Sequence, residues 1–192
     1  GKIVGIMHII NDSLSDVVQS DETQLLYGQD YFYETLLGLK FKVSTFSFFQ
    51  PNSLAAEVLY SIVREYIGDT KEKEVFDLYS GTGTIAQFVA KNAKQVIGIE
   101  SVQEAIDAAK EHAALNGLSN CSFYCGDMKD IFNDEFLSTH PKADVLITDP
   151  PRDGMHQKVV EQILKLNPEK IVYVSCNSAT QARDLALMKE QY

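Results

Sequence analysis

The sequence predicts an α/β fold, a parallel sheet with helices on both faces, preceded by a small β-rich segment. Short apolar runs at 75–78, 96–99, 121–125, 143–148 and 171–174 alternate with helix-forming stretches at 84–92, 102–116, 128–137 and 157–166. That alternation is the rhythm of strand–helix–strand units. The first run breaks at a glycine turn, Gly81-Thr82-Gly83, and a helix follows at once. Polar residues collect where the runs end: Asp77 and Tyr79, Glu100, Gly126-Asp127, Asp149, and Ser175-Cys176-Asn177. In an open α/β sheet, ligands bind at that carboxyl edge.

Residues 1–48 are turn-punctuated and β-leaning. Strands are expected at 3–10, 24–27 and 40–48, with Asn11-Asp12 and Gly28-Gln29-Asp30 as turns. Residues 1–45 read as the remnant of a central or substrate-binding domain, and residues 46–192 as the main domain. In Phe46-Ser47-Phe48-Phe49-Gln50-Pro51-Asn52-Ser53, Pro51 suits a first helical turn and Asn52 or Ser53 can cap a helix over 54–67. Ala55, Val58, Leu59, Ile62 and Val63 repeat at three to four residues, marking one apolar face. The aromatics either pack beneath that helix start or help hold Gln50 at the mouth of the sheet, against a ligand. Asn116-Gly117 is a helix stop.

Length and composition set bounds. A chain of 192 residues can build one sizeable core and a small appendage. Its 45% hydrophobic and 23% charged content is that of a soluble globular protein. No apolar run approaches the roughly 20 residues that span a bilayer, and no signal peptide is visible. Three cysteines, 121, 125 and 176, make a poor disulfide framework and suggest a reducing cytoplasm. The net charge of −10 argues against a grip on nucleic acid through a broad basic surface. The cysteines lack metal-ligand spacing and the four histidines are scattered, so no metal site is expected.

Glycines 81 and 83 let the backbone turn sharply and leave no Cβ in a ligand's way. Glu100, about 20 residues on, can accept both hydroxyls of a ribose. Gly81-Thr-Gly83-Thr-Ile-Ala86 also fits the dinucleotide fingerprint, so an NAD-linked oxidoreductase stays open. Asp77 suits a cationic amino-acid group better than a pyrophosphate, and Asp127 can meet an adenine amino group. Both favour S-adenosylmethionine (SAM), which carries a sulfonium and an ammonium but no phosphate.

Asp149-Pro150-Pro151-Arg152-Asp153-Gly154 forms a stiff loop able to place a carboxylate and a guanidinium beside a planar ring. Nucleic-acid amino-methyltransferases carry an aromatic where Arg152 stands, which points away from their chemistry. Cys176 leaves the fifth strand just before a helix that Asn177 or Ser178 can cap, a place that favours a thiolate. Cys121 and Cys125 share a strand face and read as core.

Phe-Phe-Gln50-Pro-Asn, Asp77-Leu-Tyr-Ser-Gly-Thr-Gly, Gly-Ile-Glu100, Asp149-Pro-Pro-Arg and Val-Ser-Cys176-Asn occur in that order. Over residues 46–190 the chain thereby resembles the RNA uracil-5-methyltransferases of ribosomal and transfer RNA. The resemblance implies a Rossmann-like class I SAM-dependent methyltransferase domain, with Gln50, Tyr79, Glu100 and Asp149 at the cofactor site. Asp127, Asp77, Gly81 and Gly83 join them on the residue reading. The resemblance also makes Cys176 the nucleophile, leaves Arg152 for the substrate, and implies 23S ribosomal RNA first, with tRNA second. A cytoplasmic monomer is expected.

The family's general base is a glutamate in a His-x-Glu segment, and none of His8, His112, His140 or His156 is followed by such a glutamate. The chain begins at Gly1 and stops in an apparent helix, 179–192. It is therefore expected to be an excised fragment that lacks the last strands of the sheet and the general base, and to turn over poorly. Three rivals remain: an RNA cytosine-5-methyltransferase, the NAD-linked enzyme, and a non-catalytic SAM-binding module.

Overall fold

The computed structural model describes residues 3–12, 22–45 and 49–192. Two antiparallel pairs come first: β1 (Gly5–Ile10) with β2 (Glu22–Gly28), and β3 (Tyr31–Leu36) with β4 (Leu39–Ser44). β3 is missing from the sequence-based expectation because its turn lacks the Asn-Gly or Asp-Gly signal. Leu36 pairs directly with Leu39, leaving Leu37-Gly38 as a two-residue loop with φ of 46° and 75°. Two positive values in a row are those of a type I′ turn, which suits the twist of the strands. The strand expected over 40–48 ends at Ser44, and residues 46–48 lie outside the described residues.

α1 (Ser53–Ile67) starts where expected, with the Asn52 side chain accepting the Ala55 N–H at 3.0 Å. Its buried face differs from the expected one. Ala56, Tyr60, Val63 and Ile67 are buried, while Val58 and Ile62 are exposed. The helix carries two apolar stripes, and the sheet receives the one that includes Tyr60.

The five expected parallel strands are β5 (Glu74–Leu78), β6 (Gln95–Glu100), β7 (Cys121–Cys125), β8 (Val145–Thr148) and β9 (Lys170–Tyr173). They form one sheet in the order β7-β6-β5-β8-β9, every pairing parallel. α2 (Thr84–Ala90) and α3 (Gln103–Leu115) fill the first crossovers. The helix expected at 128–137 divides into α4 (Met128–Ile131) and α5 (Asp134–Thr139). The break falls at Asn133, whose extended backbone and side chain cap α5 through the Phe136 N–H at 2.9 Å. α6 (Gln157–Leu166) and α7 (Ser178–Met188) complete the chain.

Alternation along β5 sorts the core. Val75 points to a cluster with Ile85, Phe88, Ile106, Phe123, Ile147 and the buried face of α1. Phe76 and Leu78 point to the opposite cluster, with Phe132, Phe136, Val159, Ile163 and Met188. Phe41 of β4 joins the first cluster and meets the His112 ring edge-on at 5.3 Å, so the second hairpin is packed into the main domain. Phe41 and Phe76 are each fully buried, contributing roughly 1.5–3 kcal/mol apiece by transfer. After β7 the chain returns to the other side of β5 to form β8. The connection reverses at the β5–β8 junction, where a crevice opens in such sheets.

Candidate functional site

The parallel register brings the five strand ends to one edge. Leu78 lies opposite both Ile99 and Thr148, Glu100 opposite Cys125, and Thr148 opposite Tyr173. The loops that follow are laced to neighbouring strands: Ser80 N–H donates to Ile99 O at 3.0 Å, and Asp149 N–H to Leu78 O at 3.3 Å. Asp77, Tyr79, Gly81, Gly83, Glu100, Asp127, Asp149 and Cys176 therefore all belong to this edge.

The loop between β5 and α2 is left-handed at three points, Tyr79 (φ 61°), Gly81 (53°) and Gly83 (74°). The two glycines answer different demands. A Cβ on Gly83 would lie 2.8 Å from the Phe123 ring and 2.9 Å from Ala109 Cβ. One on Gly81 would meet nothing within 4 Å. Gly83 is needed for packing and Gly81 faces open space. Gly98 gives Phe123 room from below, its virtual Cβ only 2.6 Å from that ring, so Phe123 is the prop on which the loop rests.

Glu100 ties the loop down. Its Oε2 accepts the Gly81 N–H at 3.1 Å, and its Oε1 accepts from Ser101 N–H at 2.7 Å, Ser101 Oγ at 2.9 Å and Val102 N–H at 3.0 Å. With a single hydrogen bond, from the Gly81 N–H, Oε2 keeps acceptor capacity toward the open side.

Asp77 lies inside β5, one residue before its end. It is 1% exposed, between Gly98 and Ile147 in register, and neither carboxylate oxygen has a hydrogen-bond partner among the described residues. Burial, and then the nearby Asp149 charge, push it up to about 8; the Ala86 amide leans toward it and offsets part of that shift, and Glu100 adds a little. Asp149 is raised as well, by burial. Tyr60 of α1, unmarked in the sequence as anything but apolar spacing, feels both carboxylates and its own burial, which push its phenol up to about 12. Tyr79 is likewise pushed up to about 12, mainly by burial. The buried Ser80 Oγ is also without a partner among the described residues.

Asp127 is exposed and committed locally: it caps α4 through the Lys129 N–H at 3.2 Å and pairs with the Lys129 ammonium, which lowers its pKa. Gln50 lies between β4 and α1, lining a cleft of about 330 Å³ with Asp30, Phe32 and Glu34. A larger cleft, about 850 Å³, is lined by Arg64, Gly68, Lys71 and Lys94; it sits where β5 and β6 begin, away from this edge. Cys121 and Cys125 pack against the first core cluster as expected, and burial pushes the Cys121 thiol up to about 12.

Cys176 is exposed, three residues beyond β9. The turn that presents it is bonded on both sides. Ser175 Oγ accepts the Asn177 N–H at 3.0 Å, and the Asn177 side chain caps α7 through the Ala179 N–H at 3.1 Å. Asn177 Nδ2 and Thr180 Oγ1 each donate to the Arg152 carbonyl at 3.1 Å. The Arg152 side chain itself is exposed. The loop carrying Asp149 and Arg152 and the turn carrying Cys176 thus form one unit.

A family model described as a methyltransferase domain matches residues 69–191. An uncharacterized RNA methyltransferase from Clostridium tetani is 55% identical over 190 residues, and one from Bacteroides thetaiotaomicron 51% over 191. They align with 99% and 100% of this chain, which spans only 41% and 42% of their lengths. Among solved structures, the Pyrococcus abyssi tRNA (uracil-54, C5)-methyltransferase in complex with S-adenosyl-L-homocysteine superposes with a TM-score of 0.82 at 30% identity, over 97% of this chain and 45% of that one. With a family match over more than half its length, on a sheet whose glycine loop and strand ends form one edge, this chain belongs to the methyltransferase-domain family.

Proposed function

We propose that the protein carrying this chain transfers a methyl group from SAM to C5 of uracil in RNA, with Cys176 as the nucleophile. The observation that carries the reading is the joining of the exposed Cys176 turn to the Asp149–Arg152 loop, at the edge that also holds Gly81 and Glu100. Residues for the cofactor fit its chemistry. Glu100 Oε2 can accept from the ribose, the open side of Gly81 gives close backbone approach, and unpartnered Asp77 can meet a cation. A pyrophosphate would meet Glu100 at this loop and would force Asp77 to stay protonated, with no cation for it to meet, which disfavours NAD. Gln50 and Asp127 take outer places in this scheme.

SAM supplies an electrophilic methyl group. The chain supplies what uracil lacks, a nucleophilic C5. Cys176 thiolate adds to C6, and the C5=C6 electron pair moves onto C5 and O4 as an enolate. Once C5 carried the methyl group that the cofactor would supply, its proton would pass to a base and the Cys176 thiolate would be expelled as the C5=C6 bond re-forms. Arg152 is assigned to the charge that develops on the uracil, and the base must be unstacked to reach the edge.

The substrate is assigned as ribosomal RNA. Transfer RNA is the second reading, favoured by the tRNA methyltransferase of known structure. Incubating the full protein with SAM and 5-fluorouridine-substituted ribosomal RNA or tRNA tests both. The expected result is an adduct with one of these RNAs that survives denaturation and is absent from Cys176→Ala. Methylation with no adduct, or an adduct that persists in the variant, would overturn the mechanism.

A further inference from the structure

α7 carries a side-chain pair that the cofactor and nucleophile assignments leave unused. Asp184 is fully buried, its side chain 1% exposed. Its Oδ2 accepts the Met155 N–H at 2.7 Å and the Tyr173 hydroxyl at 2.7 Å. Its Oδ1 accepts from Arg183 Nε at 3.0 Å and Nη2 at 2.7 Å. Arg183 Nη2 also donates to the carbonyls of Asp153 at 2.9 Å and Met155 at 3.3 Å. Gly154 threads between them, since a Cβ there would lie 2.6 Å from Arg183 Nη2 and 2.7 Å from Asp184 Oδ2. The pair therefore grips residues 153–155 from the same helix whose first turn, through Asn177 and Thr180, grips Arg152.

Stability alone does not call for this arrangement. Arg183 keeps half its side chain exposed, and an ion pair with one partner in solvent contributes little by itself. What it supplies is directional: every contact lands on the backbone of one loop or on the end of β9. Resting on the uracil reading above, we infer that Arg183 and Asp184 are positioning residues. They hold the Asp149–Arg152 loop in register with Cys176, so that the base and the thiol meet in line.

The test uses Arg183→Ala, Arg183→Lys and Asp184→Asn. Arg183 is half exposed, so its variants are the safer ones for folding. Two readouts are needed: tryptic cleavage after Arg152 in the folded chain, and RNA methylation kinetics in the full protein. Loosening the loop should speed cleavage. In Arg183→Ala, kcat should fall about tenfold to a hundredfold, as misplaced reacting groups do, with the KM for SAM within about twofold of wild type. Arg183→Lys should recover part of kcat. Cleavage unchanged, or kcat unchanged despite faster cleavage, would overturn the inference while wild-type activity kept the functional reading standing. A fall in SAM affinity matching the fall in kcat would also overturn it. A wild-type protein that methylates no RNA would overturn the functional reading and this inference with it.

Discussion

The two halves of the strand-end edge are built in opposite ways. On the β5–β6 side Glu100 accepts four hydrogen bonds, but Asp77 and Ser80 are buried without partners among the described residues, and a Cβ on Gly81 would meet nothing within 4 Å. On the β8–β9 side a connected network forms: Arg152 O accepts two side-chain donors, and Asp184 accepts four hydrogen bonds. A buried polar group without a partner is costly, and under the proposed function a bound ligand would supply that partner. A completed network is rigid, so the second half is arranged to hold an exposed thiol and a loop in fixed relation.

That contrast can be broken most severely at Cys176. Cys176→Ala should lower RNA methylation by about a thousandfold or more, as loss of a covalent nucleophile does, while calorimetry finds SAM affinity unchanged. A next test separates the two loop glycines. Gly83→Ala combines a left-handed φ with a clash against Phe123 and should cost about 2–4 kcal/mol in denaturant melts. Gly81→Ala meets no neighbour and should cost about 1–2 kcal/mol, from backbone strain alone, but lose more in SAM affinity than in stability.

Asp77 makes the β5–β6 half pH-dependent. With its carboxyl held near 8, Asp77 is mostly uncharged at pH 6.5 and mostly charged at pH 8.5. SAM affinity should rise about tenfold between those values, and Asp77→Asn should flatten the profile. The stability effect has the opposite sign. Between the ordinary carboxylate range and about 8 the folded chain holds a proton that the unfolded chain has lost. This contribution is complete at low pH and is lost as pH rises through about 8. The mildest change is Thr180→Val. Arg152 O keeps its bond from Asn177, so the loss should be about 1 kcal/mol with cofactor affinity unaltered.

The sequence made the sheet legible because every parallel strand is a short apolar run and each run ends in a polar residue, which places Asp77, Glu100, Asp149 and Cys176 on one edge. β3 and its turn into β4 are not announced by the sequence, because Leu37 adopts a left-handed conformation that ordinary turn chemistry does not signal. The break at Asn133 could have been read, since an asparagine three residues before an N–H it can accept is a cap signal. Tyr60 and the Arg183–Asp184 pair were illegible. Their significance arises from burial beside other strands' ends, and nothing in their local pattern distinguishes them from an apolar stripe or a surface ion pair. Phe123 left one trace, a glycine in the middle of β6 at position 98, which signals close approach of another group.

The β5–β6 half of the edge should take a cationic nucleoside cofactor. Calorimetric titration of this chain with SAM, S-adenosylhomocysteine and NAD, with Glu100→Ala alongside, addresses that. The expected result is one site for SAM and for S-adenosylhomocysteine, both lost in the variant, and no heat with NAD. Binding of NAD alone would return the glycine loop to the dinucleotide class and remove the basis for the uracil mechanism.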